Sequence, residues 1–276
     1  MQLARASWEV LKADKELLAL PLLSLASTLV VAASFLIPMA WVGRAETEQN
    51  PAWVILPLAF LAYLVLAYIT IFFNAALVHA ANERLEGGDP TVGSALRGAG
   101  ARAGRLLPWA AVSATVSLLL RAIEERAGVL GKIVSGIAGM AWSLVTFLVL
   151  PVLVMEDIGV RDALRRSTAM FKGTWGENVA ARIGFGLLGF LVVLPGIAAI
   201  AGAFALGSTS DTVAGTLGVG VNPLLLTLGV VWILVAALVL STLSGIFQTA
   251  LYRHAAGKPS QGAFASADLQ AAFGAK

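Results

Sequence analysis

The side chains able to do chemistry in this chain are few, and most stand at the edges of long uncharged stretches. His79 and Glu83 are one helical turn apart, and His254 holds nearly the matching place after the last apolar run. A zinc site takes three or four N, S or carboxylate ligands at defined spacing. This trio does not supply it, so the residues read as interfacial histidines and no metal is expected. There is no cysteine, hence no thiolate nucleophile, disulfide framework or Cys-based metal or iron–sulfur centre. Arg121, Glu124, Glu125 and Arg126 form a denser cluster in which Arg121 and Glu125 are an i,i+4 pair. Exposed pairs of this sort are weak, and the cluster reads as a charged helix end. Gly184-Phe-Gly-Leu-Leu-Gly189 imitates a dinucleotide fingerprint in letters only, because it lies inside an apolar helix with no strand before it. Gly98, Gly100 and Gly104 loosen a surface helix without forming a phosphate loop. No Ser/His/Asp order or paired-carboxylate motif occurs. The expectation is a protein with no catalytic residues and no cofactor, not an enzyme.

The elements that carry these residues belong to a membrane. Of 276 residues 58% are hydrophobic and 13% charged, against about 25% charged in soluble domains; the mean hydropathy is +0.85. A net charge of +3 is too small to argue for nucleic acid. Uncharged runs occupy residues 17–43, 49–78, 106–120, 133–155, 183–210 and 212–252. A bilayer core of about 30 Å needs roughly 20 apolar residues in a helix, and five runs satisfy this alone. The run 106–120 is short, so that span must lengthen at its ends or let Arg121 snorkel. In the sixth run Asn222-Pro223 starts a helix, which leaves 207–222 as a loop. The reading is an all-α, integral membrane six-helix bundle. Residues 1–256 form one six-span domain and 257–276 a short, flexible cytoplasmic tail.

Basic residues are retained on the cytoplasmic side of a membrane. With both termini inside, only Arg44, Arg121, Arg126 and Lys132 fall outside, and the other fifteen of the nineteen Lys and Arg fall inside. Both termini are therefore expected in the cytoplasm and 207–222 outside, in a bacterial or archaeal cytoplasmic (inner) membrane. Spans three and four must cross together or both be re-entrant; crossing is the expectation.

Three polar stretches on the inner side are too periodic to be loops. In 160–172, Val160, Ala163, Leu164, Ser167 and Phe171 share one face, with Arg161, Arg165, Thr168 and Lys172 opposite. That pattern predicts a cytoplasmic amphipathic interfacial helix, its apolar face sunk toward the acyl boundary. Arg161, Arg165, Arg166, Lys172 and Trp175 are then the candidate lipid-headgroup contacts, while the commoner use of such helices is to support the loops. Val92, Ala95, Leu96, Ala99 and Ala103 repeat the pattern after Asp89-Pro90-Thr91, and Leu3, Val10 and Leu11 repeat it opposite Arg5, Glu9, Lys12 and Glu16. Val92-x-x-Ala-Leu-Arg97 recurs as Val160-x-x-Ala-Leu-Arg165, and Phe73-Asn-Ala-Ala-Leu77 as Phe247-Gln-Thr-Ala-Leu251. Three helix-hairpin pseudo-repeats, parallel copies about an axis along the membrane normal, are the simplest account.

The pieces Ser7-Trp8, Asp14-Lys15-Glu16-Leu17, Asn74-Ala75-Ala76-Leu77, Gly87-Gly88-Asp89-Pro90-Thr91, Pro151 with Glu156, Ala163-Leu164-Arg165-Arg166-Ser167, Phe171-Lys172 and Thr174-Trp175-Gly176-Glu177 resemble an uncharacterised family of multi-pass bacterial and archaeal membrane proteins. The segment from Pro151 to Ser167 also resembles the membrane domain attached to some glycerophosphodiester phosphodiesterases. The likeness implies a membrane role. It carries over no phosphodiesterase activity, because no such catalytic domain is present here.

No Asp, Glu, Lys, Arg or His lies near the middle of a long run, which disfavours ion- or proton-coupled transport. Asn74 and Gln248 are the candidate polar intramembrane residues, with helix packing their commoner use. Small residues every fourth position let helices approach closely. Gly131, Ser135, Gly139 and Ser143 make one such seam, and Ala237, Ser241, Gly245 and Thr249 another. They face each other or a second subunit. The expected function is a non-enzymatic membrane protein that binds membrane lipids or supports a membrane complex, with a protein partner or a homo-oligomer in view. The alternative is a transporter or channel component for an uncharged or amphipathic solute.

Overall fold

The computed structural model describes residues 2–44, 52–126, 128–173, 175–206 and 221–258. Every regular element among them is helical. In chain order these are α1 (Gln2–Ala13), a single 3-10 turn (Lys15–Leu18), α2 (Ala19–Arg44), α3 (Ala52–Leu85), α4 (Val92–Gly100), α5 (Ala103–Arg126), α6 (Gly128–Val145), α7 (Val149–Met155), α8 (Val160–Gly173), α9 (Trp175–Ala205) and α10 (Pro223–Ala255). Six helical segments are long and apolar enough to cross a membrane, with α6 and α7 together forming the fourth. The chain is a multi-pass membrane bundle. The outer loop expected over 207–222 and the tail expected over 257–276 lie almost wholly outside the described residues.

The weak third run becomes a full span by extending at both ends. At about 1.5 Å per residue, α5 reaches roughly 36 Å. Arg121, near its far end, lies with its guanidinium 5.9 Å from the Tyr63 ring centroid of α3, a cation–π contact of a kind that eases burial of a charge. The connection to α6 passes through Gly128 at φ +55°, a left-handed conformation that glycine adopts without a Cβ clash. Spans three and four therefore form a tight hairpin. Start signals read from sequence also hold: Asn222 Oδ1 accepts from the amides of Leu224 and Leu225 at 3.2 Å each, and Pro223 opens α10. Thr91 and Ser94 exchange side chain to backbone bonds at 3.1 and 3.0 Å to cap α4.

Close helix crossings organise the bundle around α10. A Cβ on Gly229 would stand 2.8 Å from the Gly196 carbonyl oxygen, and one on Gly196 only 2.6 Å from Ile233 Cγ1. Trp232 Nε1 donates across the same crossing to Val192 O at 2.8 Å. A Cβ on Gly245 would similarly meet Leu77 Cδ2 of α3 at 2.5 Å. These distances explain why α10 packs so closely on both α9 and α3.

The surface helices do not float on the membrane. Ala95, Gly98 and Ala99 of α4 are buried, and α4 packs against α3. Val10 and Leu11 of α1 are buried in the main core, where α1 packs on α10. In α8, Ala163, Ser167 and Met170 are buried against α7, with further contacts to α6 and α5. This corrects the expectation that the apolar face of α8 sinks into lipid: the bundle itself takes up that face, because a break in the fourth span leaves room and need for it.

Asp14, between α1 and the 3-10 turn, is 6% exposed, and its Oδ2 has no hydrogen-bond partner among the described residues. Burial raises its pKa above the usual carboxylate value; the charge of Arg84 opposes the shift and that of Asp89 adds to it. A raised carboxyl pKa means that the fold favours the protonated form. That contribution is fully present below the ordinary pKa and is lost as pH rises through the folded value. Asp14→Asn, which keeps the shape without the charge, is expected to raise the melting temperature at neutral pH, the gain shrinking as pH is lowered into the carboxylate range. A thermal melt series in detergent checks this. A pH-independent gain, or a loss, would refute it.

Candidate functional site

Pro151 has no N–H, so it cannot donate to the carbonyl of Phe147 four residues earlier. Inside a hydrocarbon layer no water is available to take the place of that bond. The fourth span stops at Val145, turns through 146–148 and restarts at Val149, whereas the helices that carry Pro38 and Pro195 run on unbroken. Phe147 N bonds to Leu144 O at 3.3 Å, Val149 N to Thr146 O at 3.1 Å, and Val152 N to Leu148 O at 3.0 Å. This sequence of bonds omits Val145 O, Phe147 O and the Leu148 amide. Each finds a side chain from another element. Ser167 Oγ of α8 donates to Val145 O at 2.6 Å and accepts from Leu148 N at 3.3 Å. Gln248 Nε2 of α10 donates to Phe147 O. Ser167 is fully buried.

Below the break, α7 is clamped by its own exit. Glu156 Oε1 accepts from Tyr252 OH of α10 at 3.1 Å and from Arg166 Nε of α8 at 3.3 Å. Asp157 pairs with Arg105 of α5. A second clamp joins α10 to α3: Arg253, only 3% exposed, donates to Asn82 Oδ1 and to Glu86 Oε1, each at 2.7 Å. Asn82 Nδ2 also donates to Glu86 Oε1 at 3.1 Å. A buried guanidinium is tolerated because a carboxylate and an amide oxygen receive it. The termini of spans two, four and six are thereby fixed together at the end of the bundle that carries most Lys and Arg.

The histidine and glutamate flagged in the sequence serve the same end. Glu83 Oε2 accepts from Ser94 Oγ at 2.9 Å, and a Cβ at Gly98 would fall 2.2 Å from the His79 ring. His79 is thus the surface on which α4 lies. Among the described residues no group of three or more His, Asp or Glu comes together as a metal set.

Of the candidate headgroup residues, Arg161 and Arg165 are exposed, while Arg166 is half exposed and tied to Glu156. The side chains of Lys172 and Trp175 lie outside the described residues. The seam Gly131, Ser135, Gly139, Ser143 runs along α6, which packs on α5; Gly139 approaches Leu120 of α5. The other seam divides: Gly245 meets α3 at Leu77, whereas Ala237 and Ser241 line a cavity between α2, α3 and α10. The two seams do not face each other. Asn74 lines that same cavity, so the pseudo-equivalent Asn74 and Gln248 end in different surroundings, one open and one capping a carbonyl. The sequence marks Gln248 as polar and Ser167 as part of an apolar face, but their joint role at the break is not visible in it. The available signal was Pro151, which names Phe147 O as an orphan by the i−4 rule.

Ser167→Ala removes one donor and one acceptor from buried backbone, and an unsatisfied buried group costs about 1–3 kcal/mol. The substitution is expected to lower unfolding stability by that order. Ser34→Ala, which loses only an exposed bond to Val31 O within its own helix, should change little. Comparison of the two by denaturation in detergent checks this, and equal effects would refute the capping role.

In a comparison with known protein families, residues 53–262 fit the model of DUF6159, described as a family of unknown function. The matched segment holds the break, both clamps, Asn74 and Gln248, and leaves α1 and α2 outside it. No curated protein and no solved structure is matched. A match over more than half of the chain, on the segment that contains the broken span and its partners, places the protein in DUF6159.

Proposed function

We propose that this protein is a non-enzymatic lipid-binding component of a bacterial or archaeal cytoplasmic membrane, with both termini in the cytoplasm. The observation that carries the reading is the disposition of α8. Its apolar face is spent on the broken fourth span, and Arg161 and Arg165 are exposed at the basic end of the bundle. Arg97 on α4 is exposed at the same end. Cations held at an anionic leaflet are worth about 1 kcal/mol each. The likeness to a membrane domain found beside some glycerophosphodiester phosphodiesterases agrees with a role at the lipid surface. A support role for a membrane complex draws on the same surface.

A solute carrier is the second reading, favoured by the interruption of span four, since transporter sites often use discontinuous helices. Here the interrupted carbonyls are already taken by Ser167 and Gln248, which favours the first reading. Charge reversal at Arg161 and Arg165 to Glu is expected to reduce retention of phosphatidylglycerol by the purified protein, with a larger difference at low than at high salt because screening already weakens these contacts. Native mass spectrometry of the copurified lipid reads this. Unchanged retention at both salt levels would leave the arginines as topology determinants alone, and flux of a neutral solute in liposomes without any partner would favour the carrier.

A further inference from the structure

Between α2, α3 and α10 lies a cavity of about 300 Å³, lined among others by Ser24, Thr28, Thr70, Phe73, Asn74 and Ser241. It holds no ionisable side chain. Thr70, Asn74, Ala237 and Ser241 are exposed along it, so it opens sideways into the hydrocarbon layer. Thr70 and Ser241 donate to carbonyls of their own helices, Leu66 O at 3.0 Å and Leu238 O at 2.9 Å, which leaves their oxygens as acceptors. The Asn74 carboxamide has no hydrogen-bond partner among the described residues. In water such an amide would be solvated; in a bilayer it is not, and leaving it bare is costly.

The occupant must therefore come from the membrane and bring hydrogen-bonding groups of both kinds. The lining excludes a phosphate, because no cation is present to receive it. Its upper edge, Pro21, is already about one helical turn inside the uncharged run of the first span, below the level of charged headgroups. A quinone brings acceptors alone and leaves the Asn74 oxygen and the Thr70 and Ser241 hydroxyls without a donor. A diacylglycerol brings two ester carbonyls, one hydroxyl and no charge. A volume at the low end of ligand pockets, about 300–1,000 Å³, takes its glycerol and ester groups, with the chains leaving through the open side. We propose that this groove binds diacylglycerol, with the Asn74 amide donating to an ester carbonyl and accepting from the free hydroxyl. The site is distinct from the cationic surface of α8 and stands whether or not that surface reads anionic lipid.

The test uses the full chain in phosphatidylcholine nanodiscs and a photoactivatable dioleoylglycerol. Labelling should be competed by unlabelled dioleoylglycerol, and poorly by the dialkyl ether analogue that lacks the carbonyls, by ubiquinone or by excess phosphatidylcholine. Asn74→Leu should weaken binding about five- to hundredfold, the worth of the two hydrogen bonds that the amide makes. Ala237→Trp, at an exposed position, should fill the groove and abolish labelling. Helicity and particle size of both variants are measured alongside. Labelling that is not competed, that is equal in wild type and both variants, or that ubiquinone or the ether analogue competes equally would overturn the proposal. So would a dimer that either variant splits, since the groove would then be covered by a second copy.

Discussion

In a hydrocarbon layer each backbone N–H and C=O must find its partner inside the protein, and Pro151 denies one to Phe147. Helix–helix contacts of apolar side chains cannot solve this, because they supply no donor. The chain solves it with two polar side chains brought from elsewhere, Ser167 and Gln248. Much of the architecture at the basic end follows from bringing them there. For Ser167 to reach Val145, α8 must fold back across the end of the bundle. For Gln248 to reach Phe147, α10 must lie beside the fourth span as well as the second and fifth.

The clamps hold that arrangement. Glu156 fixes the exit of α7 to Tyr252 and Arg166, and Arg253 fixes α10 to α3. The pieces that carry the family resemblance acquire physical meaning in these terms. Pro151 stands just after the break and leaves Phe147 O open, Glu156 receives two helices, Ala163 is small enough to be fully buried on the face that α8 turns to the bundle, Arg166 pairs and Ser167 caps. The arginines that remain exposed, Arg161 and Arg165, are then the part of this segment turned to the surroundings, while the bundle's interior is occupied by its own repair.

Much of the fold was legible in the sequence, because uncharged run lengths and helix-start signals act locally: the Asn222-Pro223 start and the Thr91 cap follow from neighbouring residues alone. The third span was less legible, since its uncharged run is short and the helix continues through charged residues at both ends, from Ala103 to Arg126. The apolar face of α8 was read correctly as a face and assigned to the wrong neighbour, because periodicity tells that a face is buried and not by what. The same limit applies to the small-residue seams. A ladder of Gly and Ser declares close approach, but only the three-dimensional path shows that Gly245 meets Leu77 while Ser241, one turn away, borders a cavity. Asn74 and Gln248 look equivalent in the repeat, and their different fates depend on what the facing span offers: Gln248 meets the open carbonyl of Phe147, whereas Asn74 borders the cavity.

The dependence of the Gln248 bond on Pro151 is testable by a double-mutant cycle. Pro151→Ala restores an N–H able to bond to Phe147 O, which removes the reason for Gln248 to supply one. The account predicts that Gln248→Leu costs about 1–3 kcal/mol of unfolding stability in the native background, and markedly less when combined with Pro151→Ala. An equal cost in both backgrounds would show that Gln248 does not serve the carbonyl that the proline leaves open, and would contradict it.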